Sequence, residues 1–183
     1  MKYSNTTIQE RYNTGEHLKY IFFWGHQPSK DGSISKSCFS QWWESDFVIN
    51  GITYKTAEHY MMAEKARLFN DDEVLEEILS SNHPHDVKQL GRKVKGFNSL
   101  VWDNQKYLIV YKGNLAKFSQ NDALKEFLMN TKDRILVEAS PYDKVWGVGL
   151  ASDYKNIENP NRWKGLNLLG FVLMEVRDHL RKN

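Results

Sequence analysis

The chain has 183 residues, which suits one domain, residues 1–183, with a sizeable core. Its 25 basic and 23 acidic side chains nearly cancel, which argues against a protein held to nucleic acid mainly by phosphate contacts but leaves room for a local basic groove. A single cysteine, Cys38, excludes an intrachain disulfide, and no apolar run reaches the ~20 residues that span a membrane.

In chain order, residues 1–18 are polar, lack the apolar core of a signal peptide and are expected to be loosely held. A reducing, cytoplasmic setting follows as the expectation. Tyr20-Ile21-Phe22-Phe23-Trp24 reads as a buried strand. Residues 25–37, with Gly25, Pro28 and Gly32, read as a loop. Phe47 to Tyr54 carries Asn50-Gly51 between two β-prone triplets, which predicts a hairpin closed by a type I′ turn. Thr56 is an N-cap for a helix to about Phe69, and Asp71 or Asp72 for a second helix through about Ser80.

Residues 84–94, 99–118 and 122–130 have helical periodicity, with Lys112 and Lys117 expected on a solvated face. Arg134 to Glu138 reads as a strand, residues 140–164 as a loop, and Gly165 to Arg181 as the last helix. The fold class is α+β, mostly helical, with a small sheet. His83 and His85 stand alone around Pro84, so no Cys/His group has metal spacing, and no glycine-rich phosphate loop is present. Neither a metal nor a cofactor is expected.

The helix after the hairpin is unusual. At 100° per residue, Glu58, Met62, Lys65 and Phe69 fall within roughly 60° of one another. The opposite face holds Tyr60, Ala63, Glu64 and Arg67, the last two expected in solvent. Two charges therefore point in an apolar direction, where an unpaired charge costs several kcal/mol or shifts its pKa. Seven residues separate them by roughly 10 Å along the axis, so their partners are expected elsewhere or in a cleft. Two readings stay open: a functional site, or structural charges, either a buried ion pair closing the hairpin–helix joint or heads that snorkel at the core edge.

The second distinctive block runs from Asp143-Lys144-Val145-Trp146-Gly147-Val148-Gly149-Leu150 to Trp163-Lys164-Gly165-Leu166-Asn167-Leu168-Leu169-Gly170. Gly147 and Gly149 permit close backbone approach to a ligand. Gly165 to Asn167 would open a helix whose N–H groups suit a phosphate. Trp146 and Trp163 offer faces for a base, worth about 1–3 kcal/mol per stacked ring. The plainer alternative is that the glycines serve turns, the tryptophans cap a core and Asn167 satisfies a helix end. Arg92 is a candidate phosphate clamp, with an ordinary surface arginine as the plainer alternative.

Taken together, Phe39-Ser40-Gln41-Trp42, the hairpin, Thr56-Ala57-Glu58-His59-Tyr60-Met61-Met62-Ala63-Glu64-Lys65 and the block from Asp143 to Gly170 resemble the NADAR (YbiA-like) family, over roughly residues 20–180. Gly91-Arg92 and Trp102 also match positions common in that family. Gln41 and Trp42 stand where Asn and Phe are commoner there. The resemblance implies hydrolysis of an N-glycosidic bond to ribose. The substrate would be a nucleotide-type small molecule such as a ribosylamino-pyrimidine intermediate of riboflavin synthesis, or ADP-ribosylated guanine in nucleic acid, with no membrane or protein partner.

On this reading Glu58 stabilises the positive anomeric carbon or activates water, and Lys65 is a covalent nucleophile or a phosphate ligand. Asp143 holds ribose hydroxyls or protonates the leaving base, and Trp146 stacks that base beside Gly147. Arg92, Asn167 and the helix start at Gly165 hold phosphate, with Trp102 and Trp163 completing the cleft. The competing reading is a non-catalytic module that binds ADP-ribose or NAD-type ligands.

Overall fold

A computed structural model describes residues 1–182. Among them are seven α-helices and two pairs of short strands, so the fold is α+β and mostly helical. The chain forms two compact units, one from residues 1–40 and 123–183, the other from residues 41–122.

In the first unit, β1 (Tyr20–Phe23) pairs with β4 (Ile135–Glu138) in parallel, with Tyr20 opposite Ile135 and Phe23 opposite Glu138. Ile135, Leu136 and Val137 of β4 are apolar and buried, as suits a strand covered on both faces, whereas β1, expected to be buried, buries only Phe23 and leaves Tyr20, Ile21 and Phe22 half-covered. Helix α7 (Leu168–Leu180) packs on β4 and buries Phe171, Val172, Leu173, Met174 and Val176. Phe23 meets Phe39 edge-on at 5.4 Å, and Phe39 meets Phe127, of α6 (Asp122–Met129), at 5.5 Å. Phe39 closes a short 3-10 helix, Lys36–Phe39, which overlaps the end of the expected loop 25–37.

Residues 1–18 are not loosely held. Helix α1 (Asn5–Asn13) starts in a capping box between Ser4 and Thr7, and Ile8 is fully buried. Tyr3 Oη donates to Asp178 at 2.8 Å, and Lys2 pairs with the same carboxylate. A polar sequence hid these anchors because they are caps and ion pairs, which leave no apolar period.

In the second unit, β2 (Phe47–Ile49) and β3 (Ile52–Tyr54) form the expected hairpin, with positive φ at both Asn50 (53°) and Gly51 (77°), as a type I′ turn demands. Helix α2 (Ala57–Leu68) follows, capped by Thr56, and packs against α3 (Asp72–Ser80), α4 (Pro84–Lys93) and α5 (Ser99–Gln120). That central position overturns the two-faced reading of α2. Every residue from Ala57 to Ala63 is buried, including Tyr60 and Ala63 on the supposed outer face.

Two glycines allow the crowding. A Cβ on Gly91 would lie 2.0 Å from Met62 Sδ, and one on Gly113 would lie 2.6 Å from the Tyr60 ring. Glu64 and Arg67, expected in solvent, are half-buried and paired with each other, and Arg67 also donates to Tyr54 Oη at 3.0 Å. Lys117 of α5 corrects a further expectation: it is fully buried, whereas Lys112 is exposed as expected.

Candidate active site

The second unit holds Glu58, Lys65, Arg92 and Trp102. The Thr56 hydroxyl accepts from the His59 N–H at 3.3 Å and sets the start of α2, with Glu58 in its first turn. Glu58 is 4 % exposed, and its N–H donates to the Gln41 carbonyl at 2.9 Å. Gln41 Oε1 in turn accepts from Asn114 Nδ2 at 2.8 Å. Gln41, Glu58, Asn114 and Lys117 are the unit's buried amide and charged side chains, alongside His59 and Asp71.

Sequence reading missed Asn114 and Lys117 because a polar residue on a long helix is taken for its wet side by default. The signal available was Gly113-Asn114, two poor helix formers in mid-helix. Burial depresses the His59 pKa, and its Nδ1 lies 2.8 Å from Thr56 Oγ1.

Lys65 lies two turns beyond Glu58 and is half-buried. Its ammonium donates to the Gly91 carbonyl at 2.7 Å and sits 4.3 Å from the centre of the Phe97 ring and 5.7 Å from that of Trp102. No carboxylate lies within ion-pair reach of it among the described residues. Burial alone therefore governs its acidity and pushes its pKa below 10.5. Trp102 stands beside Lys65. Arg92 is exposed at the end of α4 and donates to Gln89 Oε1 at 3.2 Å.

The first unit holds Asp143, Trp146, Gly147, Trp163, Gly165 and Asn167, locked into one block by backbone. Asp143 Oδ1 accepts from the N–H groups of Val145 (2.8 Å) and Trp146 (2.7 Å), so this carboxylate builds the turn that presents Trp146. The partly exposed indole of Trp146 is available to a ligand, whereas Trp163 is 9 % exposed and donates from Nε1 to the Ile157 carbonyl at 2.8 Å.

Two expectations about this block change. Helix α7 starts at Leu168 rather than Gly165, and its N-terminal N–H groups are not open to phosphate. Those of Leu166, Asn167, Leu168 and Leu169 donate to the carbonyls of Lys144, Gly147, Val145 and Trp146, at 2.9 to 3.2 Å. The space above the glycines is likewise taken by the chain itself. A Cβ on Gly165 would lie 2.3 Å from the Gly147 carbonyl oxygen, and one on Gly147 would lie 2.8 Å from that of Glu138.

Asn167 is fully buried in the left-handed region, accepting from the Glu138 N–H and donating to the Leu136 carbonyl, both at 3.0 Å. Its side chain acts as a length of strand along the free edge of β4. Trp146 and Asp143 are partly exposed on this block, beside the exposed Lys144, Val145, Lys164 and Leu166.

Helix α2 thus carries a buried carboxylate, Glu58, and two turns on a half-buried amine, Lys65, with the rings of Phe97 and Trp102 beside the amine. The chain matches the NADAR domain model over residues 22–181, belongs to the NADAR domain family, and is an enzyme of the N-glycosidase class. It is 42 % identical over 165 residues to N-glycosidase R617 of Acanthamoeba polyphaga mimivirus, a match covering 87 % of this chain and 95 % of that one.

It is 33 % identical over 132 residues to N-glycosidase YbiA of Escherichia coli (strain K12), covering 72 % and 74 % of the two chains. A chloroplastic riboflavin biosynthesis protein PYRR of Zea mays is 33 % identical over 135 residues, which is 70 % of this chain but 20 % of the maize protein. The NMR structure of E. coli YbiA superimposes with a TM-score of 0.72 at 29 % identity, covering 90 % of this chain and 86 % of that one.

Proposed function

We propose that the protein hydrolyses the bond between ribose C1′ and a base nitrogen in a nucleotide-type N-riboside, with Glu58 and Lys65 at the reacting ribose. The whole chain, residues 1–183, serves as one functional domain on this reading. The observation that carries it is Lys65: an amine desolvated by Phe97 and Trp102, with its pKa depressed and no carboxylate to hold the proton on. Such an amine reaches its neutral, nucleophilic form at lower pH than an ordinary lysine does.

The neutral amine attacks C1′ as the bond to the base breaks, and the base nitrogen leaves with the electron pair and picks up a proton. Opening of the ribose ring leaves a Schiff base on Lys65, and water returns the aldehyde sugar and the free amine. Positive charge gathers at C1′ in the transition state, and the Glu58 carboxylate stabilises it. Asp143 hydrogen-bonds ribose hydroxyls or supplies the proton to the leaving base, and Trp146 stacks on it beside Gly147. Arg92 and Trp102 bind the phosphate end and the base or sugar face. Gly165, Asn167 and Trp163 contribute by holding the turn that carries Trp146 and Asp143.

Two substrate types fit: ADP-ribosylated guanine in nucleic acid, and a ribosylamino-pyrimidine intermediate of riboflavin synthesis. The relation to the maize riboflavin protein favours trying the second with equal weight.

The test incubates the protein with each substrate in turn, follows released base and sugar by mass spectrometry, and adds borohydride to a parallel sample. Release with a borohydride-trapped adduct that disappears in Lys65→Ala is the expected result. Glu58→Gln is expected to lower turnover by about 10²–10⁴, the usual range for a catalytic acid or base. Near-full turnover in either variant removes that residue from the reaction. Release of base without any trapped adduct would replace the covalent route with water activated by Glu58.

A further inference from the structure

Beyond the reacting residues, the first unit shows exposed rings and exposed lysines that the chemistry above does not use. Trp24 is 56 % exposed and Tyr142 is 85 % exposed, and their ring centres lie 6.1 Å apart at a tilt of 52°. Both sit just past the carboxyl ends of β1 and β4, where the strands are held in register by the Ala139 N–H donating to the Phe23 carbonyl at 2.8 Å.

Tyr142 is displayed on a fixed turn. Its own N–H and that of Asp143 lie 3.4 and 3.2 Å from Ser140 Oγ, and the Asp143 carboxylate closes the next step. Two residues on is exposed Lys144, which flanks Gly149 together with exposed Lys164. The Lys164 ammonium lies 5.9 Å from the centre of the Tyr154 ring, itself 43 % exposed. Tyr154 also lines a shallow groove with Tyr12, Asn156, Glu158 and Asn159. Neither lysine pairs with a carboxylate among the described residues.

Exposing this much ring area on a rigid turn forgoes burial that would stabilise the fold, so it points to a ligand with flat apolar faces. The two exposed lysines that flank Gly149, one of them beside the Tyr154 ring, point to a ligand that also carries anions. We infer that Trp24, Tyr142, Lys144, Tyr154 and Lys164 form a binding surface for a single-stranded nucleic acid segment, bases stacking on the rings and phosphates meeting the lysines. A duplex fits poorly, since its bases stack on each other and present no free faces. The surface lies outside the groups assigned to bond cleavage. It rests on the N-glycosidase reading only in taking the strand to flank the modified nucleotide.

The probe is a fluorescein-labelled, unmodified single-stranded DNA of about 12 nucleotides, within the roughly 4–16-nucleotide footprint of such surfaces, followed by anisotropy on the full chain. The single strand is expected to bind more tightly than the same sequence as duplex. Tyr142→Ala should weaken it at least about five-fold, from the loss of one stacked base, while Tyr142→Phe keeps wild-type affinity. Lys144→Gln with Lys164→Gln should make the slope of log K against log salt shallower by about 1.4.

Turnover of a free ribosylamino-pyrimidine phosphate is measured in parallel and is expected to be unchanged in Tyr142→Ala. Equal binding of single strand and duplex, or an unchanged affinity in Tyr142→Ala, overturns the surface and leaves N-glycosidase chemistry standing. Strand binding with the expected variant effects, but no turnover of any N-riboside, keeps the surface and overturns the catalytic reading.

Discussion

An ordinary lysine ammonium keeps its proton far above neutral pH, which makes it a poor nucleophile. Lys65 differs because one carbonyl and two aromatic faces replace the water around it. Aromatic faces attract a cation, but less than full hydration does, so the neutral form gains ground and the pKa falls below 10.5. The sign for stability follows. Between the depressed folded value and 10.5 the unfolded chain binds more protons, so the cost of burying Lys65 is full at low pH and is relieved as pH rises through that window.

Reactivity follows the same titration. The rate of borohydride-trapped adduct formation should rise with pH to a plateau, with a midpoint below 10.5. Phe97→Ala lets water reach the ammonium and should move the midpoint up toward 10.5. An unmoved midpoint in that variant would show that Phe97 does not cause the depression. Phe97 suits the test because it is half-exposed and held edge-on by Phe69 at 5.3 Å, so removing it leaves no sealed cavity.

At the scale of elements, β4 depends on one side chain that is not in a strand. Asn167 satisfies the Glu138 N–H and the Leu136 carbonyl, and its φ of 53° turns the chain into α7. Asn167→Ala orphans both backbone groups and places a Cβ residue without local hydrogen bonding in the left-handed region, a combined cost of about 3–6 kcal/mol. Asn167→Gly removes only the conformational part of that cost. Urea unfolding should therefore rank wild type above Asn167→Gly, and Asn167→Gly above Asn167→Ala. Equal stability of wild type and Asn167→Gly would show that the two hydrogen bonds contribute nothing.

The same comparison shows where sequence is legible. The hairpin, the caps at Thr56 and Asp71 and the helices α3 to α6 follow from local chemistry: positive-φ turn residues, side-chain oxygens at helix starts, and apolar periodicity. The parallel pairing of β1 with β4, the burial of α2 all round and the closed N-terminus of α7 do not follow from it. Each is decided by partners distant in sequence. Glu58 and Lys65 stand out on a helical wheel as charges facing the wrong way, whereas Lys117, more deeply buried than either, looks like any surface lysine.

At the scale of the whole molecule, the order of assembly follows from the chain's topology. Residues 41–122 are contiguous, and their helices pack against neighbours in sequence, α2 on α3, α4 and α5. The strand pair β1–β4 must instead join residues 20 and 135. Closing a loop costs about 0.6 kcal/mol more for each doubling of its length. Once residues 41–122 have folded, their two ends lie side by side, with Asn121 Nδ2 donating to the Asp46 carbonyl at 3.2 Å and Gln120 bonded to both the N–H and the carbonyl of Val48. The loop that remains to be closed is then much shorter than the numbering suggests.

Local contacts should therefore form first and lower the cost of the distant ones. In pulse-labelled amide exchange during refolding, the N–H groups of α2 and α5 should gain protection before those of Ile135 and Ala139, which donate to Lys19 and Phe23 in the folded chain. Gly113→Ala, which forces a Cβ against the Tyr60 ring, should delay protection at Ile135 and Ala139 even though it lies outside their unit. Protection at Ile135 that arrives with or before that of α2, or that is indifferent to Gly113→Ala, would mean that the strand pair forms without help from the 41–122 unit.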